Sequence, residues 1–360
     1  MKYNKLVLLF LVTIVVIIVA WIAAGSRAPQ SNLEKTVLFP DLGKQINTVT
    51  KITISGNGNR VELVQEEGKW VLASTWNYPA IVNKVRAAVI NISEMKILDK
   101  KTDNPELYNR LGVEDPEQPG AASLAITLYD GNDNPLADLI VGQERLSSSN
   151  RPGLYVRKPE ESAALLVEGH LDISANELDW INRSLFDISA NRIRSIDIIL
   201  PDGESSGIFK ETREEPDFRS TDREAGSESA AKIIINRLAT GFEEMRADGI
   251  VSAGHFEFPE NSIKTIARTF DGLQIEARLA EVDDQTYGQF TVTPDPEYSS
   301  DANYNQPATN QEGELSVEAE VAELSGRLSG WVYLIPDFKY EALTTTLDSL
   351  RKAMPQPAEG

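Results

Sequence analysis

The sequence predicts an α+β fold: an N-terminal transmembrane helix followed by two similar units of mixed strands and helices with largely antiparallel sheets. Three observations support this fold class. Residues 6–24 form a long apolar run without a charge, segments that alternate apolar and polar residues begin near Lys51, and the same order of elements occurs twice along the chain.

The apolar run at 6–24 is long enough for a membrane-spanning helix of roughly 28 Å at about 1.5 Å per residue. Lys2 and Lys5 precede it and only Arg27 follows closely, so the positive-inside rule places residues 1–5 in the cytoplasm. A cleaved signal peptide, with Ala23 and Gly25 near the cleavage site, is the alternative, but the run exceeds the roughly 7 to 15 apolar residues of such signals. We therefore expect a single-pass inner-membrane protein with its C-terminal domain in the periplasm.

The composition excludes several kinds of chemistry. The chain has no cysteine, which removes disulfides, thiol catalysis and zinc–thiolate sites. It carries 35 basic and 55 acidic residues, and subtracting Lys2 and Lys5 leaves 33 basic against 55 acidic residues on the exported side. Because this net negative charge repels nucleic acid and anionic lipid surfaces, we expect neither as a direct ligand.

The first predicted unit spans residues 37–190 and follows a polar, proline-containing stalk at 25–36. Alternating segments predict strands at 51–55, 60–65, 69–73 and 124–129, with turns between them that favour hairpins. Apolar residues at helical spacing predict an amphipathic helix at 80–94, which can cover one face of a sheet; they are Ile81, Val85, Val89 and Ile92.

The second predicted unit spans residues 191–353 and repeats this order. Strands at 195–200 and 207–212 precede a helix at about 228–245 that carries Ile234, Leu238, Phe242 and Met245. Further strands are predicted at 262–270, 273–282, 289–293 and 331–335. The unit contains an insertion at 294–330, in which a polar loop precedes a short helix, and residues 354–360 form a disordered tail; residues 213–229 are predicted to be another loop.

The two histidines, His170 and His255, show no metal-ligand spacing, and an ordinary surface or core histidine is the favoured interpretation of each. The acidic turn that begins at Asp130 is superficially similar to a calcium loop, but Val141 stands where the twelfth-position glutamate is required. We interpret that segment as a turn with local side-chain hydrogen bonds.

Two Ser-x-x-Lys tetrads, beginning at Ser93 and Ser229, raise the hypothesis of a serine acyl-transferase. Neither has an accompanying Lys-Thr-Gly or Ser-Asp-Asn motif, and both fall on predicted surface helices. Adjacent carboxylates such as Glu66 with Glu67, at 214–215 and at 283–284, are indistinguishable from solvated loop charge. We therefore assign no catalytic, cofactor-binding or metal-binding residue and expect a protein that is not an enzyme.

Several motifs nevertheless resemble those of the DUF4340 family of bacterial membrane-anchored proteins. The resemblance is good over roughly 40–200 and looser from there to about 350. It depends on four stretches and a terminal tripeptide, namely Gly-Lys-Trp-Val-Leu at 68–72, Leu-Tyr-Asn-Arg-Leu-Gly-Val-Glu-Asp-Pro at 107–116, Leu-Ile-Val-Gly at 139–142, Leu-Tyr-Val-Arg at 154–157 and Asp-Trp-Ile at 179–181.

The motif residues themselves suit structural roles. Gly112 can end a helical turn at positive φ, Trp70 fills a core, and Gly142 suits a turn. Arg157 is the polar member, for which an ion pair or a contact to a backbone carbonyl is favoured over a functional role.

The resemblance implies an envelope-side accessory of an ABC-type transporter, since members of the family are often encoded beside transporter components similar to those of gliding-motility exporters. The expected function is thus a periplasmic binding or assembly module that needs no cofactor and meets a membrane-protein partner. Two alternatives stay open: a purely structural envelope protein, and an envelope hydrolase or transferase whose scattered carboxylates meet only in the fold.

Overall fold

The computed structural model describes residues 36–145, 152–221, 235–295 and 316–346. The predicted membrane helix at 6–24, most of the stalk, the loop at 296–315 and the C-terminal tail lie outside these residues. No helix among the described residues is long and apolar enough to cross a membrane.

The described chain divides into two compact units. The first comprises residues 36–70 and 82–176, and the second comprises 71–81 and the residues from 177 onward. The chain therefore leaves the first unit after residue 70, contributes residues 71–81 to the second unit, and returns to the first unit at residue 82.

The first unit begins with helix α1 (Leu42–Gln45) and contains helix α2 (Val82–Glu94), which buries its face at Val85, Ala88, Val89 and Ile92. Short 3-10 helices occur at Ile46–Thr48 and Pro105–Arg110. Its strands are β1 (Val49–Gly56), β2 (Asn59–Glu66), β5 (Lys96–Thr102), β6 (Leu124–Asp130), β7 (Pro135–Arg145), β8 (Gly153–Arg157) and β9 (Ala164–Glu168). Strand β3 (Lys69–Leu72) begins in this unit and is followed by β4 (Tyr78–Pro79) in the second.

The second unit contains a helical segment at 235–239, helix α3 (Val317–Leu328), helix α4 (Asp337–Thr344), and 3-10 helices at Ala73–Thr75, Glu177–Trp180 and Ala253–His255. Its longer strands are β11 (Ile193–Ile199), β12 (Ser205–Phe209), β15 (Gly249–Ser252), β16 (Ile263–Thr269), β17 (Leu273–Val282), β18 (Gln285–Pro294) and β19 (Trp331–Leu334). The short strands are β10 (Ser184–Phe186), β13 (Arg219–Ser220) and β14 (Met245–Arg246).

The two sheets share one strand order. In the first unit it runs β2-β1-β6-β7-β8-β9-β5, and in the second it runs β12-β11-β16-β17-β18-β19-β15. Neighbouring strands in these orders are antiparallel, with Ile54 opposite Ile126 in the first sheet and Ile198 opposite Thr265 in the second. The α+β class with antiparallel sheets is confirmed, and the order of elements predicted twice from the sequence recurs in both sheets.

Alternation along the strands explains where each core lies. In β17, for example, Leu273, Ile275, Ala277 and Leu279 are buried while the residues between them are not. Helix α3 packs on β18, where the hydroxyl of Ser325 donates to the carbonyl of Val292 at 2.7 Å. One face of β17 therefore contributes to the hydrophobic core of the second unit.

The predicted helix at 228–245 is wrong at its C-terminal end. The described helical residues end at 239, the chain turns, and Met245 lies in strand β14 opposite Phe186. After residue 239 the backbone continues in turns, with hydrogen bonds from the amide of Gly241 to the carbonyl of Leu238 and from the amide of Glu243 to that of Thr240. Glu244 then adopts a left-handed φ of 42° just before β14.

Candidate binding surface

A tight connection in the second unit holds Trp76 at the surface. The amide of Asn77 donates to the carbonyl of Leu72 at 3.0 Å, and the buried hydroxyl of Thr75 donates to the Glu177 carboxylate at 2.7 Å. Both residues of the turn, Trp76 and Asn77, have left-handed φ angles of 54° and 60°. A left-handed residue other than glycine costs about 1–2 kcal/mol.

The indole of Trp76 does not recover that cost by burial, because 48% of the residue remains exposed. Its ring stacks on His255, with centroids 4.3 Å apart and planes inclined by 28°. His255 ends the 3-10 helix Ala253–His255, which is fixed by a hydrogen bond from the amide of Ala253 to the carbonyl of Gly330 at 2.9 Å. A large aromatic side chain is thus presented to solvent on a rigid support.

More aromatic side chains continue from this stack. Phe256 follows His255 directly and contacts Phe258 and Tyr287, with centroid separations of 4.8 and 4.7 Å. The guanidinium of Arg278 lies 4.5 Å from the centre of the Phe258 ring, which is a cation–π contact. We call Trp76, His255, Phe256, Phe258 and Tyr287 the Trp76 surface.

Tyr78, two positions after Trp76, belongs to a packed aromatic pair. Tyr78, in β4, is buried and meets Trp331 edge to face with ring centroids 4.9 Å apart. Tyr333 is fully buried, and burial raises the pKa of its hydroxyl, as it does the pKa of Tyr78. The phenols of Tyr78 and Tyr333 therefore stay neutral at physiological pH, and both side chains contribute packing.

The carboxylates that meet in the second unit are paired with arginines. Asp295 is fully buried and accepts from Arg194 at 2.8 Å, and Arg268 approaches its other oxygen at 3.8 Å. Arg268 also donates to Asp197 at 2.6 Å. Each of these carboxylates therefore lies in an ion pair with a neighbouring guanidinium group within the second unit.

A further arginine contacts helix α3 from the start of β11. Arg192 donates to both oxygens of Glu320, at 2.8 and 2.5 Å, and to Asp271 at 2.8 Å. Burial alone would lower the pKa of Arg192, but the two carboxylates more than offset it and raise the pKa. This network joins the start of β11 to the β16–β17 turn and to α3.

The family-like motifs of the first unit form a packed loop. The amide of Gln143 donates to the carbonyl of Leu111 at 2.9 Å, and Gly112 has a φ of 65°, as predicted. The prediction of a turn at Gly142 is wrong, because this residue lies inside β7. It is glycine for a different reason: a Cβ there would lie 2.3 Å from the carbonyl oxygen of Leu111.

Arg157, at the end of β8, is buried against the same loop. Its Nε donates to the carbonyl of Val113 at 3.0 Å, and its Nη1 donates to those of Pro159 and Glu161 at 3.2 and 3.5 Å. The guanidinium also lies 4.7 Å from the centre of the Tyr108 ring. The predicted contact between Arg157 and backbone carbonyls is confirmed, and the residue ties the loop to β8.

The other residues singled out in the sequence lie in ordinary surroundings. His170 is exposed and pairs with Glu144. Asp130 accepts from the amides of Asn132 and Asn134 at 2.8 and 2.9 Å, and the hydrogen bond from the side chain of Asn134 is the main cause of its lowered pKa.

Of the two serine tetrads, only the first lies within the described residues. Ser93 donates to the carbonyl of Ile90 at 2.7 Å, as helix hydroxyls often do, and the tetrad at 229–232 lies outside the described residues. Among the described residues no group of three or more histidines and carboxylates is placed to hold a metal ion.

The comparison with protein families decides the membership of this chain. The family model described as "Domain of unknown function (DUF4340)" matches residues 70–291. The chain belongs to the DUF4340 family. The match includes both Trp76 and His255 as well as the Arg157 loop. None of the curated proteins and none of the solved structures compared with this DUF4340 chain matches it.

Sequence reasoning missed the Trp76 surface in this DUF4340 protein. Trp76 stands in Ser-Thr-Trp-Asn-Tyr at 74–78, a polar turn between a strand and Pro79, where a tryptophan is out of place. That mismatch was the available signal. The stacking of His255, 179 positions later (255 − 76), has no counterpart in the sequence pattern.

Proposed function

We propose that this protein is a membrane-anchored periplasmic binding or assembly module, accessory to an ABC-type transporter, whose Trp76 surface contacts the partner. The observation that carries the proposal is the half-exposed Trp76, which is held in a left-handed conformation and stacked on His255. Backbone strain of this kind persists at functional sites, and exposed tryptophans are enriched at binding hot spots.

The proposed membrane anchor would keep this surface close to the bilayer. The apolar run at 6–24 would hold the folded units next to the bilayer, where their nearest available partners are other membrane proteins. Family membership supports the same role, since it is the DUF4340 resemblance that implies an envelope-side transporter accessory. The carboxylates of the second unit favour binding over hydrolysis, because Asp295, Asp197 and Glu320 are paired with arginines.

Topology is tested first. A reporter enzyme that is active only outside the cytoplasm is fused after residue 360 of the full chain. Activity is expected, because Lys2 and Lys5 favour an N-terminus inside the cell. A silent but stably expressed fusion would reverse the orientation and end the proposal of a periplasmic module.

Partner contact is tested in native membranes with a photo-crosslinking amino acid at position 76. The matched control carries it at Phe338, which is 64% exposed in the same unit and lies outside the Trp76 surface. We expect a specific adduct from position 76 with an integral subunit of a transporter, identified by mass spectrometry, and none from position 338. Adducts of equal yield from both positions, or with soluble proteins alone, would count against the proposal.

A further inference from the structure

We infer that the Trp76 surface binds an arginine-bearing, basic polypeptide segment of its protein partner. This inference rests on the proposed function and deepens it by naming the chemistry of the partner. The Trp76 surface combines open aromatic rings, acidic surroundings and an arginine–aromatic contact of its own.

The exposed aromatic rings of the Trp76 surface attract cations. The faces of aromatic rings carry partial negative charge, and a guanidinium is attracted to them, best of all to tryptophan. Trp76 is 48% exposed although its ring stacks on His255, so part of the indole is open to a ligand. A planar guanidinium can also stack on an indole, which a lysine ammonium cannot do.

Acidic residues near the Trp76 surface favour a basic partner. Glu177 lies beside the turn, bonded to Thr75, and the exposed Glu257 follows His255 by two positions. The whole chain has a formal net charge of −20 at pH 7. A basic segment is therefore steered toward this surface, whereas an anionic lipid headgroup is repelled from it.

The Trp76 surface already contains one contact between an arginine and an aromatic ring. Arg278 places its guanidinium 4.5 Å from the centre of the Phe258 ring, so one aromatic ring of the surface already carries an arginine of this chain. Trp76, at the other end of the Trp76 surface, has the larger ring, and among the residues that the structure describes its ring partner is His255 rather than an arginine. We expect an arginine of the partner to occupy the equivalent position over Trp76.

The rigid turn makes this surface suited to binding. The hydrogen bonds from Asn77 to Leu72 and from Thr75 to Glu177 fix the backbone before a partner arrives. A ligand then loses little free energy in ordering the surface. The same geometry provides a variant that cannot simply fail to fold, because glycine accepts the left-handed φ of 54° at position 76.

The test measures peptide binding to the full chain in detergent by fluorescence anisotropy. The probe is a labelled, blocked heptapeptide of glycine and serine that carries two arginines, and the matched peptide carries citrulline, which keeps the shape and removes the charge. We expect the arginine peptide to bind about tenfold more tightly than the citrulline peptide, and more weakly as salt is raised.

The variants locate the binding. W76G should lower the affinity about tenfold while its melting temperature stays equal to or above that of the wild type. W76F, which keeps a ring face, should retain most of the affinity, and the exposed-aromatic control F338G should match the wild type. The indole N–H resonance of Trp76, assigned by its loss in W76G, should shift on addition of the arginine peptide.

Three outcomes would overturn the inference: equal binding of the two peptides, equal affinity of W76G and F338G, or a lipid ligand. The last is detected by reconstituting the full chain in bilayers of phosphatidylethanolamine and phosphatidylglycerol with brominated acyl chains, where selective quenching of Trp76 would show that it lies in the lipid. If peptide binding fails but position 76 still crosslinks to a transporter subunit, the inference about arginine is wrong and the proposed function survives. If both fail, both are wrong.

Discussion

The close approach of the 107–116 loop to strand β7 yields the sharpest prediction about stability. The change is G142A. Gly142 lies within β7 without a positive φ, so the substitution adds a single methyl group and demands no change of backbone conformation. The effect expected from G142A is therefore purely steric.

The magnitude follows from the distances around Gly142. A Cβ there would lie 2.3 Å from the carbonyl oxygen of Leu111 and 2.7 Å from that of Gly112, whereas real Cβ contacts stay above 3.0 Å. The loop must therefore move by at least about 0.7 Å (3.0 − 2.3). Overpacking of this kind costs about 1–3 kcal/mol, and weakening of the hydrogen bond from the Gln143 amide to the Leu111 carbonyl adds about 1 kcal/mol. We therefore expect G142A to lower the free energy of unfolding by about 2–4 kcal/mol.

The assay is thermal unfolding of the full chain in mild detergent, followed by circular dichroism, with hydrogen exchange of peptides covering 107–116 as the local readout. G326A is the control, because Gly326 lies inside helix α3 with open space at its Cβ position. This change should raise stability by about 0.5–1 kcal/mol. A G142A protein that melts at or above the wild type, with unchanged exchange in the loop, would refute the packing argument.

Three further perturbations test the buried polar contacts. R157M leaves the carbonyl of Val113 without its donor and should destabilise the fold by about 2–4 kcal/mol, with R157K in between; equal melting temperatures would contradict this. D295A leaves Arg194 facing an empty buried site and should cost about 3 kcal/mol, measured by the same melts, while an unchanged melting temperature would show that the pair adds nothing. Burial lowers the pKa of Lys339 in the folded protein, so the unfolded state binds more protons between that lowered pKa and about 10. The stability of the wild type relative to K339M should therefore rise with pH in this range. A difference in melting temperature between the two proteins that stays flat or falls from pH 8 to about 10 would contradict this.

The sequence predicted the fold well where burial alternates. The segments at 51–55 and 273–282 agree with β1 and β17, since both strands bury apolar residues at alternate positions, such as Ile52 and Ile54 in β1. Strand β5 was missed because its sequence, Lys-Ile-Leu-Asp-Lys-Lys-Thr at 96–102, is charged and mostly exposed. It lies at the edge of its sheet, where no apolar face is needed to fix it.

The candidate site was far less visible in the sequence. Arg157 could be interpreted from its type alone, because a buried guanidinium must find acceptors and backbone carbonyls supply them. Gly142 was misinterpreted as a turn residue, since the neighbour that requires a missing Cβ is Leu111, about thirty positions away. Trp76 and His255 are brought together only by the tertiary fold, so periodicity and motif spacing carry no trace of their stack.

Recovery of the partner from native membranes tests the central claim most directly. The full chain carries an affinity tag in three forms, wild type, W76G and F338G, and the co-purified transporter subunits are quantified by mass spectrometry at equal bait. Our account predicts that W76G loses about tenfold or more of the recovered subunit while keeping its melting temperature, and that F338G matches the wild type. Equal recovery by all three forms would contradict the claim that the Trp76 surface is where this protein meets its partner.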